Sequence, residues 1–412
     1  MVKQASVLAD LESIAGRDHV WAPQDSYQVD GLAPQVAVHP GSYEQVAEVL
    51  RYAHGRDLAV LPWGGGTHMH TANVPSRYDI ALSLSRLDQV IEHEPADLTV
   101  TCQAGITLTQ LQRHLSASGQ LLPLGPFPEA AATIGGILAV NASSAARYAY
   151  GTPRDVAIGL RVVTADGRVT HAGGKVVKNV AGYDLCKLYI GSLGTLGVIV
   201  EATFKVAPVP KAESATSLTF PTPAIACSFA AELLRGGLSL RAIRLLGPRH
   251  GSDIPWRLDL DLAGSPLAVQ RSQEEIAALA AGGVAAPATP DAGQRAPATL
   301  ACKLSVLPNQ LPTLIARLIE LDDLPAIEAL PTIGVLSASW TQIDDAEATL
   351  ERVRSIASAL SASCIVERCP IELKRKIDVF GDAPPSFDLM RRIKEQFDPT
   401  GVLSPGRFLG RL

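Results

Sequence analysis

The sequence predicts an α+β protein built from more than one domain. A strand, a helix and a strand follow one another over residues 34–61, an order typical of a small parallel sheet. Further along, a turn at residues 165–168 separates two strand patterns and predicts an antiparallel hairpin. Parallel pairing followed by antiparallel pairing favours α+β over a repeating doubly wound sheet. With 412 residues and 47% hydrophobic composition, the chain has material for two or three domains.

Composition and charge set several function classes aside. A formal net charge of -5 with interspersed signs gives no basic surface for nucleic acid, so no nucleic-acid partner is expected. No apolar run approaches the roughly 20 residues of a membrane span. Residues 1–10 are too polar for a signal peptide, and the prediction is a soluble, cytoplasmic protein.

Cysteine spacing argues against a self-contained metal centre. The six cysteines contain no Cys-x-x-Cys pair, which iron-sulfur and zinc sites commonly use. We therefore expect no metal site and interpret the cysteines as isolated buried thiols. They are Cys102, Cys186, Cys227, Cys302, Cys364 and Cys369.

The first elements form the strand–helix–strand unit. Residues 1–33 are a polar lead-in with a weak helical pattern. A short β-type run over residues 34–40 ends at a proline, and Ser42 then caps a predicted helix over residues 42–53. The second strand is the apolar run at residues 58–61.

That second strand leads into the run Pro62-Trp63-Gly64-Gly65-Gly66-Thr67-His68. Three glycines after a strand leave backbone amides free to converge on an anion, with the Thr67 hydroxyl as a further donor. The loop is a candidate pyrophosphate cradle, and a plain flexible loop is the alternative. Its spacing matches neither the Rossmann fingerprint nor a Walker loop.

Three strands and a helix come next. The strand patterns cover residues 80–84, 90–94 and 98–103, and the helix covers residues 107–115. The run from Thr133 to Asn141 then combines two adjacent glycines with almost no charge. Because glycine allows close approach of the backbone, we interpret this run as the wall of a ligand cleft.

The hairpin and two glycine-rich segments complete the first half. Strand patterns at residues 156–164 and 169–171 flank the turn, and residues 173–185 and 189–200 follow. The second segment has three glycines at every third position before a strand. It is also compatible with a tight loop under that strand.

The second half follows a proline-rich exit at residues 208–210. A strand at 217–220 with a helix at 222–234 is repeated by a strand at 301–306 with a helix at 308–319, and two such halves suggest a ferredoxin-like domain. Residues 280–298 are rich in Ala, Gly and Pro and predict a surface loop. A final helix is predicted over residues 386–397.

Taken in order, five motifs over residues 30–210 resemble the vanillyl-alcohol oxidase type of FAD-linked oxidases. They are the loop at 64–67, the run at 134–141, the hairpin at 162–167, the segment at 182–185 and the segment at 191–197. The closing run at 397–408 is similar to the family's closing motif. Residues 178–184, together with Leu193 where many catalytic relatives carry Glu, resemble the branch of second FAD-binding subunits of bacterial glycolate oxidase.

The resemblance implies FAD as cofactor and a set of residues that bind it. Trp63, Gly64, Gly65, Gly66 and Thr67 would hold the pyrophosphate. Thr133, Ile134, Gly135, Gly136 and Asn141 would line the flavin and ribityl side, and Gly197 and Val198 would complete the cleft. Relatives with covalent flavin carry His where this chain has Thr67, which implies non-covalent FAD, with a link through His68 as the alternative.

The resemblance also implies a domain plan. Residues 1–33 would be the lead-in, 34–210 the FAD-binding domain, 211–375 a ferredoxin-like cap laid over the isoalloxazine, and 376–412 a segment that packs back on the FAD domain. Relatives that oxidise 2-hydroxy acids use cap histidines, whereas all nine histidines of this chain lie at or before His250.

Two functions therefore stay open. In the first, the chain is the FAD-binding subunit of a complex that oxidises glycolate or D-lactate, and Lys178, Tyr183 and Arg407 are the residues to test for catalysis. In the second, it is a non-catalytic electron-transfer or scaffolding subunit. Both imply a catalytic flavoprotein partner and an iron-sulfur partner, and the complex leaves room for peripheral contact with the inner face of the membrane. A protein without flavin is the third reading.

Overall fold

The fold is described from a computed structural model. It describes residues 2–23, 26–125, 130–175, 182–247, 255–281, 286–288 and 298–412. Among these residues, no helix combines the length and the apolar character needed to cross a membrane.

The chain divides into two compact units. The first unit combines Met1–Ser144, Gly151–Val209 and Asp382–Leu412. The second combines Ala145–Tyr150 with Pro210–Gly381. The chain therefore enters the second unit twice, at residues 145 and 210, and the sequence did not indicate the first of these crossings.

The first unit begins with a four-stranded sheet. Its elements are α1 (Val2–Ala15), β1 (Val20–Trp21), β2 (Val36–Val38), α2 (Tyr43–Arg56), β3 (Val60–Trp63) and β4 (Ile80–Ser83). The strand order is β1-β2-β4-β3, with β2, β4 and β3 parallel. The predicted strand–helix–strand unit is confirmed, and Ser42 caps α2 by accepting from the Gln45 amide.

A five-stranded antiparallel sheet follows, in the order β5-β6-β10-β8-β9. Between residues 90 and 208 the elements are, in chain order, β5 (Val90–Glu94), β6 (Thr99–Gln103), α3 (Leu108–Ser116), β7 (Gln120–Leu121), α4 (Ile134–Val140), α5 (Arg147–Tyr150), α6 (Pro153–Val156), β8 (Ala157–Val163), β9 (Val169–Gly173), α7 (Cys186–Tyr189), β10 (Val198–Lys205) and β11 (Ala207–Pro208). Of these, α5 belongs to the second unit. The predicted hairpin is confirmed as β8–β9.

Strand β10 is central to the first unit. Every residue of β10 except Lys205 is buried, and the strand pairs with both β6 and β8. Burial of successive residues is typical of a strand covered on both faces, and here it includes the polar side chains of Glu201 and Thr203. The strand starts where the glycine-rich segment ends, so it fixes the position of that segment.

The second unit contains an eight-stranded sheet within its described residues, in the order β15-β12-β14-β13-β17-β18-β16-β19. Its elements are β12 (Ala212–Phe220), α8 (Pro223–Leu233), β13 (Leu240–Leu246), β14 (Trp256–Gly264), α9 (Pro266–Ala280), β15 (Ala286–Ala288), β16 (Leu300–Ser305), α10 (Leu311–Leu318), β17 (Ala326–Leu330), β18 (Val335–Trp340), α11 (Ala346–Ala359), β19 (Ser363–Arg368) and α12 (Ile371–Lys376).

This sheet is two ferredoxin-like halves side by side. Each half runs strand, helix, strand, strand, helix, strand, and in both the fourth strand lies beside the first. The halves join where β13 pairs with β17, at Leu245 opposite Ala329 and Leu246 opposite Glu328. The expectation of a ferredoxin-like domain is confirmed, and the structure adds that the chain contains the unit twice.

Of two further predicted segments, the loop at 280–298 turns out differently and the final helix is confirmed. The predicted loop at 280–298 contains β15, which pairs with β12, while residues 282–285 and 289–297 lie outside the described residues. The final predicted helix is α13 (Phe387–Phe397), and it belongs to the first unit. In this way the end of the chain rejoins the sheets with which it begins.

Candidate functional site

A cavity in the first unit is lined entirely by uncharged residues. Its walls are the ends of β3 and β4, the turn that follows β6, helix α4 and the start of β10. Such a lining suits an apolar, planar ligand portion and offers no side chain that titrates near neutral pH. The lining residues are Pro62, Trp63, Gly64, Leu84, Ala104, Thr133, Gly135, Gly136, Ala139, Gly194, Gly197, Val198 and Ile199.

Glycine is required in the loop after β3 because two chain segments pack against it. A Cβ placed at Gly64 would overlap Thr133 Oγ1, and a Cβ placed at Gly65 would overlap the Ala131 carbonyl oxygen. These two glycines therefore let the loop lie directly against the segment that precedes α4. The sequence suggested that the glycines admit a ligand, whereas here they first admit a neighbouring loop.

The same loop presents unpaired amide groups. Within the described part of the chain, the structure records no backbone acceptor for the amides of Gly64, Gly65 and Gly66. Consecutive free N–H groups in such a loop form a concave site for an anion. This arrangement is what a pyrophosphate cradle requires.

Helix α4 forms the opposite wall. Thr133 caps it by accepting from the Gly136 amide at 3.3 Å. The Ile134 and Gly135 amides donate to the carbonyl oxygens of Ile106 and Ala104 at 2.9 and 2.7 Å. The start of α4 is thereby fixed to the chain after β6, and its first amides are already used within the protein.

The end of α4 carries a polar atom without a partner. Asn141 ends the helix in the left-handed conformation, with a φ of 51°. Its side-chain oxygen is buried and has no hydrogen-bond partner among the described residues. A buried acceptor of this kind is costly unless a ligand donor satisfies it.

The glycine-rich segment before β10 is attached to the same helix end. The Gly191 and Leu193 amides donate to the carbonyl oxygens of Leu138 and Ala139, both at 2.9 Å. Leu193 has a φ of 58°, which is uncommon for a bulky residue. Two hydrogen bonds and a left-handed residue therefore define the path that brings Gly194 to the cavity.

A buried lysine supports this segment from the other side. Lys394 Nζ on α13 donates to Thr195 O at 2.8 Å, to Leu403 O at 2.9 Å and to Asp398 Oδ2 at 2.6 Å. Burial lowers the pKa of Lys394, and the Asp398 carboxylate opposes that shift. One ammonium group thus joins the last helix, the closing run and the cavity segment.

The outer side of Trp63 packs on an aromatic group. Its ring lies 5.0 Å from that of Tyr27, edge to face, and the Tyr27 hydroxyl lies 2.7 Å from His39 Nε2. Burial, together with positive charge on His19 and Arg86, lowers the pKa of His39 to about 4. The imidazole is therefore neutral at pH 7, and these contacts hold the Trp63 ring at the cavity wall.

The structure brings together most of the residues predicted from sequence. Seven of the predicted residues line the cavity: Trp63, Gly64, Thr133, Gly135, Gly136, Gly197 and Val198. Five do not line it: Gly65, Gly66, Thr67, Ile134 and Asn141. Ile134 is fully buried in the core. The sequence analysis did not name six lining residues. Four of them stood within runs that it had singled out, namely Pro62, Ala139, Gly194 and Ile199, whereas Leu84 and Ala104 did not.

The three candidate catalytic residues are not gathered at this cavity. Arg407 is buried, pairs with Asp30 at 3.5 Å and donates to the carbonyl oxygens of Asn73 and Met69 at 2.9 and 2.7 Å. These contacts give it a structural function in the closing run. Tyr183 is 93% exposed, and Lys178 lies outside the described residues. In the described part of the chain, no cluster of His, Cys, Asp and Glu could hold a metal ion.

Comparison with known families and structures accounts for this cavity. Residues 34–173 match the model of the FAD binding domain, and residues 381–408 match that of the C-terminal domain of FAD linked oxidases. The first match includes the cavity-lining residues from Pro62 to Ala139, and the second includes the closing run. Over these residues the chain is similar to the FAD-linked oxidases.

Individual relatives agree with this relationship. A D-lactate dehydrogenase of Archaeoglobus fulgidus is 35% identical over 52% of this chain and 50% of that protein. Glycolate oxidase subunit GlcD of Bacillus subtilis is 33% identical over 43% of this chain and 38% of that protein. The chain spans about half the length, or less, of these curated relatives.

A solved structure extends the likeness to nearly the whole fold. The structure of p-cresol methylhydroxylase with substrate bound matches with a TM-score of 0.75 at 16% identity, over 98% of this chain and 96% of that one. At this identity the match shows the fold alone. The fold is the α+β fold of the vanillyl-alcohol oxidase type, with an FAD-binding domain and a C-terminal domain.

The residues present fit FAD. The free amides after β3 suit its pyrophosphate, the uncharged lining suits an aromatic ring system, and the buried Asn141 oxygen suits a hydroxyl or ring N–H donor. Direct hydrogen bonds join α4 to the chain after β6 and to the segment before β10, and the loop after β3 packs closely against Thr133 and Ala131.

Proposed function

We propose that this chain binds FAD without a covalent bond and acts as the FAD-binding subunit of a complex that oxidises a small 2-hydroxy acid such as glycolate or D-lactate. The observation that carries the proposal is the uncharged cavity beside a loop with free amides, in a chain related to the FAD-linked oxidases. The substrate class is drawn from relatives named as D-lactate dehydrogenase and glycolate oxidase subunit.

In this proposal, different residues of the chain bind different parts of the cofactor. The amides after Trp63, from Gly64 to Thr67, hold the pyrophosphate. Thr133, Gly135, Gly136 and the Asn141 side chain face the flavin and ribityl portion, with Ile134 contributing through its backbone alone. Gly197 and Val198 complete the cleft. FAD, once bound, supplies the acceptor for the electron pair from the α-carbon of the acid.

Non-covalent binding follows from the side chains in the loop. Thr67 has no nucleophile suited to a flavin link, and its hydroxyl lies 2.9 Å from His68 Nδ1. His68 is the alternative attachment point. Denaturing the purified chain and filtering it distinguishes the two: free FAD in the filtrate supports the proposal, and flavin retained on the His68 peptide contradicts it.

A second function has an observation in its favour. The cavity lining has no ionisable side chain, and the sequence has no histidine after His250. Taking a proton from a substrate hydroxyl needs a base within hydrogen-bond reach. The chain would then be a non-catalytic electron-transfer or scaffolding subunit, and a flavoprotein partner would hold the substrate site.

One anaerobic experiment separates these functions. The chain is purified alone with its flavin, glycolate or D-lactate is added, and the visible absorption of the flavin is followed. Bleaching by the isolated chain supports its own oxidation of the acid. Bleaching in the assembled complex alone, abolished by substituting the partner's substrate site, supports the second function. A colourless chain that releases no flavin would contradict both.

The same proposal includes partners and a location. We infer a cytoplasmic complex with a catalytic flavoprotein and an iron-sulfur protein, with peripheral contact at the inner face of the membrane through the complex. The support is the likeness to a glycolate oxidase subunit. Affinity purification of the native chain, followed by mass spectrometry of its partners in soluble and membrane fractions, tests each part.

A further inference from the structure

Two cysteines far apart in sequence meet in the second unit. Cys302 lies on β16 and Cys364 on β19, which are neighbouring antiparallel strands. The register places Cys302 opposite Val366 and Cys364 opposite Leu304, so both thiols lie on the same face of the sheet, one step apart along the diagonal. Each thiol is a cause of the shift in the pKa of the other, as expected of neighbouring groups. The interpretation of all six cysteines as isolated thiols is therefore wrong for this pair.

An arginine from a helix completes the group. Arg354 on α11 donates through Nη2 to Asp378 O at 2.5 Å, which holds the guanidinium beside the sheet. Helix α11 packs on β19, and the positive charge of the guanidinium acts on the Cys364 thiol. Its Nε is buried and has no hydrogen-bond partner among the described residues. Arg354 thus brings a positive charge to the Cys364 thiol, and one of its N–H groups has no partner among the described residues.

The two thiols are electrostatically unequal. The hydrogen bond from Cys302, together with the charge of Arg354, lowers the pKa of Cys364, although burial opposes the shift. The hydrogen bond to Cys364, together with burial, raises the pKa of Cys302 well above its usual value. Cys302 is fully buried, whereas Cys364 is partly exposed. Cys364, the partly exposed residue, is therefore the thiol that ionises first.

We propose that Cys302 and Cys364 form a redox-active dithiol in which Cys364 is the nucleophile, Cys302 is the resolving thiol and Arg354 is the counter-ion of the thiolate. The co-reactant is a small hydroperoxide such as hydrogen peroxide. This site does not depend on the proposed function, because all three residues belong to the second unit and none lines the cavity.

The reaction balances in two steps. The Cys364 thiolate attacks one oxygen of the peroxide, the O–O bond breaks, and Cys364 sulfenic acid forms with hydroxide, which takes a proton from solvent. The Cys302 thiol then attacks the sulfenic sulfur, forming the S–S bond and releasing water. Two thiols are oxidised to one disulfide, and one hydroperoxide is reduced, to two waters in the case of hydrogen peroxide.

The strand geometry requires one strand to move toward the other before this bond can form. Diagonal neighbours on antiparallel strands have Cα atoms about 7–8 Å apart, slightly beyond the span of an ordinary disulfide. However, β19 is the last strand of the sheet and has no strand beyond it in the described order. An outer strand can shift toward its neighbour more easily than an inner one. The disulfide would then fasten β19 to β16.

The test titrates the full chain with less than one equivalent of hydrogen peroxide, blocks the remaining thiols and identifies linked peptides by mass spectrometry without reductant. We expect the Cys302–Cys364 link to form before any other. Cys302→Ser should keep the initial rate of Cys364 oxidation but stop at a sulfenic acid that dimedone traps. Circular dichroism and a melting curve check that each variant is folded.

Arg354 has a matched control on the same helix. Arg354→Met should slow modification of Cys364 about tenfold, because a free thiol is only a few per cent ionised at neutral pH. Arg352→Met removes an exposed arginine that pairs with Asp322 and should leave the rate unchanged. The proposal is overturned if both variants slow the reaction equally, if Cys364 reacts no faster than Cys369, or if Cys364 links to Cys369 instead.

Discussion

Gly65 illustrates how one residue determines the shape of the candidate site. It does not line the cavity, yet a side chain there would overlap the Ala131 carbonyl oxygen, which belongs to backbone and cannot rotate away. Its absence of a Cβ thus sets the distance between the loop after β3 and the segment before α4. The free amides depend on that distance.

We therefore expect Gly65→Ala to weaken FAD binding at least tenfold and to destabilise the chain by about 1–3 kcal/mol, the usual cost of forcing an extra methyl into a packed region. FAD titration by flavin fluorescence and unfolding in urea measure the two effects. Gly55→Ala is the control. Gly55 lies in α2 with open space at its Cβ, so alanine should stabilise the helix by about 0.5–1 kcal/mol and leave FAD binding unchanged. Equal FAD affinity in Gly65→Ala would disprove this function of Gly65.

At the scale of elements, helix α13 connects the closing run to the cavity. Lys394 is the contact: its ammonium group holds Thr195 O in the cavity segment and Leu403 O in the closing run. Asp398 completes the group by accepting from Lys394 Nζ and from the Val402 and Leu403 amides. The last helix, which lies 199 residues beyond Thr195 at Lys394, thereby supports the wall that carries Gly194.

Replacing Lys394 tests this connection. Lys394→Met keeps most of the side-chain volume but leaves a buried carboxylate without its cation, a change that costs about 3–5 kcal/mol in comparable pairs. We expect a lower urea midpoint and faster release of FAD, because the segment at 193–197 loses its support. Stopped-flow dilution measures the release rate.

Lys376→Met is the matched control, since Lys376 is 62% exposed and pairs with Glu347 at the surface. An exposed pair contributes at most about 1 kcal/mol, so this variant should resemble the parent in both measurements. If Lys394→Met lowers stability but releases FAD at the parent rate, the lysine supports the fold without positioning the cavity segment.

The elements differ in how far the sequence could predict them. Helix α2 and strands β2, β3, β8 and β9 followed from periodicity, a cap and a turn, because these signals are local. Helix α4 was assigned to a cleft wall but not to a helix, since two glycines and little polar periodicity hide the pattern; Thr133 as N-cap was the remaining signal. The pairing of β13 with β17 had no local signal at all.

At the scale of the whole molecule, the sequence predicted the fold where motifs or elements follow one another in a recognisable order along the chain. Five motifs in sequence led to the FAD-linked oxidase fold, and the strand–helix repeats led to the ferredoxin-like domain. Contacts between strands that are distant in sequence were not predicted. Cys302 and Cys364 are an example, because 62 positions separate them and only the register of β16 against β19 brings them together. The same limit hid Lys394, whose partners lie in the cavity segment and in the closing run.

The assignment of FAD to its segments can be tested across the whole chain by hydrogen exchange. The amides of Gly64, Gly65 and Gly66 have no backbone acceptor among the residues that the structure describes, so they should exchange rapidly without ligand. Saturating FAD should slow them at least tenfold, because the pyrophosphate oxygens become their acceptors. Strand β5, whose residues are mostly exposed at the edge of its sheet, should not change.

ADP separates the pyrophosphate from the flavin in this experiment. It carries the pyrophosphate but no ring system, so it should protect residues 64–67 while leaving the amides around Gly197 and Val198 closer to their ligand-free rates. Unchanged exchange at residues 64–67 in a chain that retains its FAD would place the pyrophosphate elsewhere. The free amides after β3 would then need another explanation, and the cavity would hold the cofactor in a different orientation.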